Sequence, residues 1–281
     1  MAETAQKTSY DLRKISAQFE IPGQLVEAGP YGTGHINDTY SVTTSVGGAT
    51  RRYIVQRVNH YVFKDPVSLM DNVRRVTEHQ HRKLKQAGCP DAERRALTLV
   101  PARAGGTHVV DGEGNLWRTY LFIERAKSHD TLDNPLQAYE AARAFGEFQK
   151  QLVDLPGERL FETIPGFHDT PRRFETLEKA IQADAFNRAK EVAPEIEFAM
   201  QRKAMTGVLM EKHRQGLIPE RITHNDTKVN NVMLDAATNE GICVIDLDTV
   251  MPGLVLYDFG DMVRSGTNSA VEDERDLSKV R

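Results

Sequence analysis

Cysteine and tryptophan are scarce in this chain of 281 residues, which has two cysteines and one tryptophan. Cys89 and Cys243 lie far apart, and neither belongs to a Cys-x-x-Cys pair. This pattern gives no support to a disulfide framework or a structural zinc site. A chain of this length can bury enough apolar surface to fold without cross-links. We therefore expect two reduced thiols in a cytoplasmic protein.

Long hydrophobic runs and an excess of basic residues are also missing. Asp, Pro or Gly interrupts the longest apolar stretches, so none reaches the length of a signal peptide or a transmembrane helix. The 36 Lys and Arg against 40 Asp and Glu give a net charge of −4, whereas nucleic-acid-binding proteins usually carry a basic surface. We expect neither a membrane nor a nucleic acid as partner, and the oligomeric state stays open.

What is present in the first 125 residues is a mixture of strands and one long helix. Thr39–Thr44 and Arg52–Val58 predict two strands joined by a turn at Gly47-Gly48. Asp65-Pro66 is a typical helix start and Gly88 a typical helix stop. Further predictions here are a short helix at 11–20 and strands at 97–101, 107–111 and 116–124. The pattern indicates an α+β fold.

The composition changes after Glu124, and from Pro135 onward the chain is mostly helical. Further helices are predicted at 171–190 and 194–215. The polar segment between the two parts resembles a linker. We predict an N-terminal domain at 1–125, a hinge at 126–134 and a helical C-terminal domain at 135–281.

Polar side chains cluster in the segment from residue 221 to residue 248. Strands at 231–235 and 242–246 predict a hairpin, and centring it on Thr238-Asn239 pairs Val232 with Ile245. The same register places Asn231 opposite Asp246. A loop that carries His224 and Asp226 enters at that end, so Asp226, Asn231 and Asp246 are expected to converge.

This convergence has a chemical use. A carboxylate beside an amide offers the hard oxygens that Mg²⁺ prefers, and a second carboxylate can accept the proton of an attacking hydroxyl. The glycine-containing segment 31–38 would let the backbone approach phosphates closely. Each motif alone is typical of an ordinary turn or loop. Their order, a glycine loop, a helix, His-x-Asp-x₄-Asn, a hairpin and Ile-Asp-x-Asp, favours a phosphotransferase.

These residues resemble the aminoglycoside phosphotransferase and choline-kinase-like family, which shares the two-lobed protein-kinase fold. Within that family, several blocks of the chain resemble the kinases of N-acetylhexosamines. These blocks are YGTGHINDTY, YIVQRVN, FHDTPRRFE, THNDTKVNNVMLD, VIDLDTVMPG, LYDFGD and VEDERDLSKV. The resemblance implies a nucleotide-binding N-terminal lobe and a larger helical catalytic lobe. It also implies ATP- and Mg²⁺-dependent phosphorylation of the anomeric hydroxyl of N-acetylglucosamine or N-acetylgalactosamine, giving a sugar 1-phosphate.

The resemblance also implies roles for individual residues. Asp226 would be the catalytic aspartate and would contact the sugar, which His35 would also reach. Asn231 and Asp246 would be the magnesium ligands. The residues that would bind ATP are Gly32, Thr33, Gly34, Gln56, Arg57, Glu124 and Ala126. Glu124 and Ala126 belong to the segment that resembles the adenine-binding hinge.

The chain departs from the kinase pattern in two places. Kinases carry a lysine on the third strand, where this sequence has Gln56 or Arg57, and Glu78 is one candidate for the helix glutamate that pairs with that lysine. Asp258-Phe-Gly260 imitates the metal-binding motif of protein kinases. We assign the metal to Asp246, at the end of the hairpin, and expect Asp258 to be a structural carboxylate.

The sequence leaves several alternatives open. The acceptor could instead be choline, homoserine or an aminoglycoside, and the missing lysine would also suit a silent nucleotide-binding protein. Choline sites need an aromatic cage, which the single Trp117 disfavours. The choice between the two sugars and the anomer are open. The charged helical pattern of 269–281 has no stop signal, so we expect a C-terminally truncated chain that lacks part of the acceptor site.

Overall fold

The computed structural model describes residues 10–32, 34, 36–268, 270 and 274–279. Within these residues the strands are β1 (Gln24–Pro30), β2 (Asp38–Val46), β3 (Ala49–Arg57), β4 (Val109–Val110), β5 (Leu116–Leu121), β6 (Ala126–Lys127), β7 (Arg221–Thr223), β8 (Val232–Asp235), β9 (Gly241–Val244) and β10 (Met251–Gly253). The α-helices are α1 (Leu12–Ser16), α2 (Pro66–Gln86), α3 (Ala92–Arg95), α4 (Pro135–Leu152), α5 (Thr170–Ala183), α6 (Ala193–Met200), α7 (Val208–Arg214) and α8 (Val255–Gly266). The α+β class is confirmed.

The N-terminal half is built on a five-stranded antiparallel sheet in the order β1-β2-β3-β5-β4. The predicted hairpin is confirmed, because Val46 pairs with Ala49 across Gly47-Gly48. These glycines have φ of 57° and 86°, as the two-residue turn that follows strand twist requires. The N-terminal segment covers one face of the sheet with Phe19, and α2 covers the other.

The long helix α2 begins and ends where its sequence signals predict. The Asp65 carboxylate accepts a hydrogen bond from the Ser68 N–H at 3.0 Å, and Pro66 occupies the first turn. At the other end Gly88 has φ of 69°. The apolar side of α2 enters a core that also contains β5, α4 and the β8–β9 hairpin, so this helix joins the two halves.

The C-terminal half combines helices with two small sheets, β6-β8-β9 and β10-β7. The register predicted for β8 and β9 is wrong by one residue, since Val232 pairs with Val244 and not with Ile245. The cause lies in the turn, where the Asp235 carboxylate accepts hydrogen bonds from the N–H groups of Ala237 and Thr238 at 2.9 and 3.0 Å. The turn is therefore shorter than the predicted six-residue connection at 236–241, because β9 already begins at Gly241, and a register shift lies between Met233 and Leu234.

Other differences concern local structure. The helix predicted at 11–20 is only the five residues of α1, and the strand predicted at 97–101 is reduced to one bridge between Leu99 and Tyr120. The helix predicted at 194–215 is divided into α6 and α7 by the 3₁₀ turn Lys203–Met205. The break between the two helices ends at Gly207, directly before α7, and glycine has a low helix propensity.

Three more segments depart from their predicted structure. The helix predicted at 171–190 is shorter in the structure. It is α5, which ends at Ala183 because Asp184 adopts a left-handed conformation with φ of 34°. The first two residues of the predicted hinge form β6, and β1 has no counterpart among the predicted strands. In the segment 269–281, which lies partly outside the described residues, the described part contains a 3₁₀ turn at Leu277–Lys279. Among the described residues, no helix is both long and apolar enough to cross a lipid bilayer.

Candidate active site

The loop that follows β7 is fixed by hydrogen bonds on both sides. His224 is fully buried, and its Nε2 donates to the Ile245 carbonyl at 2.9 Å while its Nδ1 accepts from the Asp226 N–H at 3.3 Å. Asn225 adopts a left-handed conformation with φ of 68°. Its side-chain amide donates to the Thr249 carbonyl at 2.9 Å. The His224 ring, held by Ile245, therefore orients the backbone at Asp226.

Asp258, on α8, holds this loop by accepting hydrogen bonds from its backbone. Its carboxylate is 3% exposed and accepts hydrogen bonds from the N–H groups of His224 and Asn225 at 3.0 and 2.7 Å. The Gln149 amide donates to the same carboxylate. These three donors engage Asp258 with the loop and α4, as expected for a structural carboxylate.

Asp226 and Asn231 lie in direct contact. The Asn231 Nδ2 donates to the main-chain oxygen of Asp226 at 2.8 Å and to its Oδ2 at 3.1 Å. The Lys228 ammonium lies 3.5 Å from Oδ1 of Asp226, whose side chain is 25% exposed. Asp226 therefore presents a partly solvated carboxylate, oriented by an amide and balanced by a cation.

Asp246 follows directly on the strand pair that carries Asn231. The Ile245 N–H donates to the Asn231 carbonyl at 2.9 Å, and Asp246 then adopts a left-handed conformation with φ of 58°. A positive φ is uncommon for a non-glycine residue, although Asp and Asn adopt it more readily than most. Asp246 is exposed to solvent, and the protein beside it and the charge of Asp248 raise its pKa, with a further contribution from the charge of Asp226. The structure thus brings Asp226, Asn231 and Asp246 together, as predicted, despite the shifted register.

The donor set at this point suits Mg²⁺. Because the Asn231 Nδ2 is committed to Asp226, its Oδ1 is the atom left for a cation. A nearby cation would also favour the ionised form of Asp246. Among the described residues, no group of three or more His, Cys, Asp or Glu side chains could hold a metal by itself. Two protein oxygens are consistent with a Mg²⁺ that takes its other ligands from phosphates and water.

The glycine-containing segment connects β1 to β2. Gly32 has φ of 80°, and a Cβ at Gly32 or Gly34 would meet no atom within 4 Å. These glycines therefore leave open space beside the backbone, and φ at Gly32 favours glycine. Thr33 and His35, which are predicted to contact the phosphates and the sugar, lie outside the described residues.

Gln56 and Arg57, the candidates for the lysine position, lie on opposite faces of β3. The Arg57 guanidinium pairs with Asp38 at 2.6 Å and stacks over the Tyr10 ring, on the face covered by the N-terminal segment. Arg57 is therefore not placed to hold phosphates in the space between the halves. Gln56 faces the C-terminal half, but its amide donates to Thr39 Oγ1 at 2.9 Å and accepts from Arg118 at 3.1 Å.

Glu78 does not face the sheet. Its exposed carboxylate accepts from Arg74 one turn earlier on α2, at 2.9 Å. Of the two interpretations of Glu78, a partner for a strand cation or a solvated residue of the helix, the structure fits the second.

The predicted adenine-binding hinge lies where the chain passes from β5 to β6. The Glu124 carboxylate accepts from Arg52 at 2.9 Å, and its carbonyl accepts from Arg94 at 3.1 Å. Ala126 pairs with Asp235 in the C-terminal sheet. Arg94 also binds Asp235 at 2.8 Å. Its side chain therefore connects α3 with both the hinge and β8.

The sequence reasoning missed a buried ion pair close to Asp246. Arg118 on β5 and Asp248 are 1% and 2% exposed and are directly hydrogen-bonded. Burial lowers the pKa of Arg118, but the charges of Asp248 and Asp246 more than offset this and raise it. The available signal was the second aspartate of Ile-Asp-x-Asp, which needs a cationic partner if it is buried.

Comparisons with known proteins concern the family and the fold of the chain. The sequence model of the phosphotransferase enzyme family, known as APH, matches residues 27–277. The solved structure of an aminoglycoside phosphotransferase from Alicyclobacillus acidocaldarius is similar, with a TM-score of 0.57 at 14% identity over 93% of this chain and 73% of that one. At this identity the likeness shows a shared fold, which is the kinase-like fold of these enzymes.

Two further solved structures match less well. A spectinomycin phosphotransferase, in complex with ADP and spectinomycin, has a TM-score of 0.45 at 14% identity over 83% of this chain and 66% of that one. A choline kinase from Cryptosporidium parvum has a TM-score of 0.47 at 15% identity over 84% of this chain and 60% of that one. The chain thus spans less than two thirds of the length of either.

Proposed function

The chain belongs to the phosphotransferase enzyme family, and from that premise we propose that it transfers the γ-phosphoryl group of ATP to the anomeric hydroxyl of an N-acetylhexosamine. Family membership gives the reaction class, phosphoryl transfer to an alcohol group of a small molecule. The sugar, the position of phosphorylation and the roles of single residues are proposals. A cytoplasmic location, where ATP is available, belongs to the same proposal.

The observation that carries the proposal is the contact of Asp226 with Asn231 beside Asp246. Phosphoryl transfer needs little covalent help from protein, but it needs a positioned base and charge on the phosphates. Asp226 would accept the proton of the sugar hydroxyl as its oxygen bonds to the γ-phosphorus and the bond to the ADP oxygen breaks. Asn231 Oδ1 and the Asp246 carboxylate would hold Mg²⁺, which neutralises charge on the phosphates.

The remaining roles are proposed for residues around this centre. The backbone at Gly32, Thr33 and Gly34 would cover the phosphates, the hinge at Glu124 and Ala126 would hold adenine, and His35 would reach the sugar. Gln56 would act through Arg118 and not on the phosphates, because its amide is engaged at both ends. Arg57 is left out, because it lies on the opposite face.

A single assay tests the acceptor. The protein is incubated with Mg-ATP and an equimolar mixture of N-acetylglucosamine, N-acetylgalactosamine, choline, homoserine and an aminoglycoside, and the products are identified by mass spectrometry. We expect one added phosphate on an N-acetylhexosamine, in a product that borohydride no longer reduces because its anomeric oxygen is blocked. Phosphate on another acceptor would contradict the sugar assignment and leave the kinase assignment in place.

The role of Asp226 is tested by Asp226→Asn. This change keeps the shape of the side chain and removes the base, so we expect kcat to fall by about 10²–10⁴-fold while ATP still binds. Asp71→Asn, an exposed carboxylate on α2 paired with Arg74, is the matched control and should keep its rate. A normal kcat in Asp226→Asn would show that Asp226 is not the base.

A choline site would need an aromatic cage, for which the single tryptophan is one candidate residue. Trp117 is fully buried, and its Nε1 donates to Asp111 at 2.8 Å. Its ring packs edge-on against Tyr10 in the core on the outer face of the sheet. Trp117 therefore takes no part in a cage for a quaternary ammonium.

A further inference from the structure

The Arg118–Asp248 ion pair lies between the two halves of the molecule and is almost fully buried. Burying an ion pair costs desolvation that mutual attraction often does not repay, so such a pair is weak evidence for stability. Its surroundings point to another use. Arg118 projects from β5 on the face that packs toward α2, with its guanidinium 3.9 Å from Met70 Sδ and over the Tyr120 ring.

The pair contacts two parts of the proposed nucleotide site and lies close in sequence to a third. The second carboxylate oxygen of Asp248 accepts from Asn37 Nδ2 at 2.7 Å, at the end of the glycine-containing segment. The Arg118 Nε donates to Gln56 at the lysine position of β3. Asp248 itself lies two residues after Asp246, the proposed magnesium ligand.

Asn37 is itself fixed on its other side. Its Oδ1 accepts from the Asn59 N–H at 3.0 Å, and the Asn59 side chain donates to the Ile36 carbonyl at 3.0 Å. The end of the glycine segment is thereby tied both to the chain after β3 and to Asp248. One continuous series of hydrogen bonds thus runs from that segment to the loop that carries Asp246.

We propose that Arg118, Asp248 and Asn37 form a positioning unit that fixes Asp246 relative to the glycine segment and thereby sets the affinity for the magnesium form of the nucleotide. In this unit a β5 arginine and a loop aspartate stand in for the strand lysine and helix glutamate that the chain lacks. The inference rests on the proposed function only in its use of ATP and Mg²⁺. It does not depend on the acceptor.

The physical reason is the short backbone path from Asp248 to Asp246. Asp246 is held in a left-handed conformation, and the two intervening peptide groups leave little freedom once Asp248 is anchored. Residues that orient a metal ligand typically contribute 10–100-fold to metal affinity. A purely structural ion pair would change stability without changing the metal dependence of nucleotide binding.

The test measures binding of a non-hydrolysable ATP analogue by calorimetry, with Mg²⁺ and with EDTA, and without any acceptor. We expect Mg²⁺ to strengthen binding to the wild type, and Asp248→Asn to reduce that gain by about 10–100-fold. Asn37→Ala, which removes one hydrogen bond to a charged group, should reduce it by about tenfold. Binding in EDTA should change little in either variant.

Two further proteins complete the comparison. Asp248→Asn leaves the buried Arg118 charge unpaired and can prevent folding, so the neutral double variant Arg118→Gln/Asp248→Asn is measured beside it. Asp111→Asn is the matched control. Asp111 lies in the N-terminal half, like Arg118, and its carboxylate binds Trp117 and Asn115 away from the site. This variant should destabilise the fold while keeping the full gain in nucleotide affinity from Mg²⁺.

The outcomes separate the two claims. If Asn37→Ala and the double variant keep the wild-type Mg²⁺ gain, or lose no more of it than Asp111→Asn, the positioning unit is refuted. Binding without phosphorylation of any sugar would refute the proposed acceptor alone. A wild-type chain that binds no nucleotide would refute both.

Discussion

At the scale of single residues, the proposed catalytic centre is held by neutral and charge-assisted hydrogen bonds to the backbone. His224 and Asp258 together accept hydrogen bonds from three main-chain N–H groups of the loop, and His224 also donates to the Ile245 carbonyl after β9. Such support is what keeps a catalytic group within the narrow range of productive geometry. The position of Asp226 therefore depends on buried residues that take no part in proton transfer.

Asp258→Asn tests this dependence. The change replaces one carboxylate oxygen by an amide that faces an N–H donor, so we expect a loss of about 1–3 kcal/mol in the free energy of unfolding. We also expect a lower kcat with an unchanged KM for ATP, because the loop carries Asp226 and not the nucleotide contacts. Both are measured by urea denaturation and steady-state kinetics. Glu147→Gln, an exposed residue of α4 paired with Lys150, is the control, and equal effects in the two variants would contradict the assigned role.

The residues that could be predicted from sequence are those whose spacing is itself a signal. Asp226, Asn231 and Asp246 stand at fixed distances around a hairpin, and the off-by-one register did not separate them because the loop and hairpin end meet in space. Arg118 gave no such signal. A strand arginine usually lies at the surface, and only the distant Asp248 explains its burial.

At the scale of elements, the helices with local start signals are the ones whose first residues were predictable. α2, α4 and α5 each begin with a capping Asp or Asn and a proline in the first turn, at Asp65-Pro66, Asn134-Pro135 and Asp169 with Pro171. Elements fixed by partners elsewhere were missed. β1 and β6 exist because they pair with β2 and β8, which no local pattern reveals.

The cap of α2 gives a stability prediction at this scale. Asp65→Ala removes the acceptor for the Ser68 N–H and should cost about 1 kcal/mol at neutral pH, or about 2–4 °C in Tm. Asp65→Asn keeps a capping oxygen and should lose less. Thermal unfolding followed by circular dichroism measures both, and equal losses in the two variants would show that the cap does not contribute.

The same cap predicts the direction of a pH effect. Hydrogen bonds from the Ser68 backbone and side chain hold the pKa of Asp65 below its usual value. Because the pKa is lower in the folded state, the ionised carboxylate stabilises the fold at pH values above its unfolded-state pKa of about 4. This stabilisation is lost as the pH falls through the folded-state pKa. The stability difference between wild type and Asp65→Asn should therefore narrow in acid, and a constant difference would contradict the ionised cap.

At the scale of the whole molecule, the two halves share one core. Leu69, Val73 and Val76 of α2 belong to the same buried cluster as Phe145 and Phe148 of α4. A core that is continuous across the space between the halves favours unfolding in one step. The predicted boundary near residue 125 describes where the chain passes between the halves, whereas the packing joins them.

Polar contacts reinforce the connection made by this core. Asn72, 1% exposed on α2, donates to the carbonyls of Phe161 and Val250 at 2.8 and 3.1 Å and accepts from the Phe161 N–H at 3.0 Å. At the hinge, Arg94 of α3 donates hydrogen bonds to the carbonyls of Glu124 and Arg125. Movement of one half against the other must therefore break buried hydrogen bonds as well as apolar contacts.

The single tryptophan makes this coupling measurable. Trp117 lies in the sheet of the N-terminal half, so its fluorescence reports that half, whereas the far-ultraviolet circular dichroism comes largely from helices in the other. For one cooperative unit the two denaturation curves must coincide. Asn72→Ala removes the hydrogen bonds to the buried Val250 carbonyl and to the part-buried backbone of Phe161. We expect both midpoints to fall together, with a loss of about 2–4 kcal/mol in the free energy of unfolding. Thr176→Ala, on the exposed side of α5, is the control and should move neither by as much. If the fluorescence transition in Asn72→Ala separates from the circular dichroism transition, the halves are distinct folding units and the shared core does not couple them.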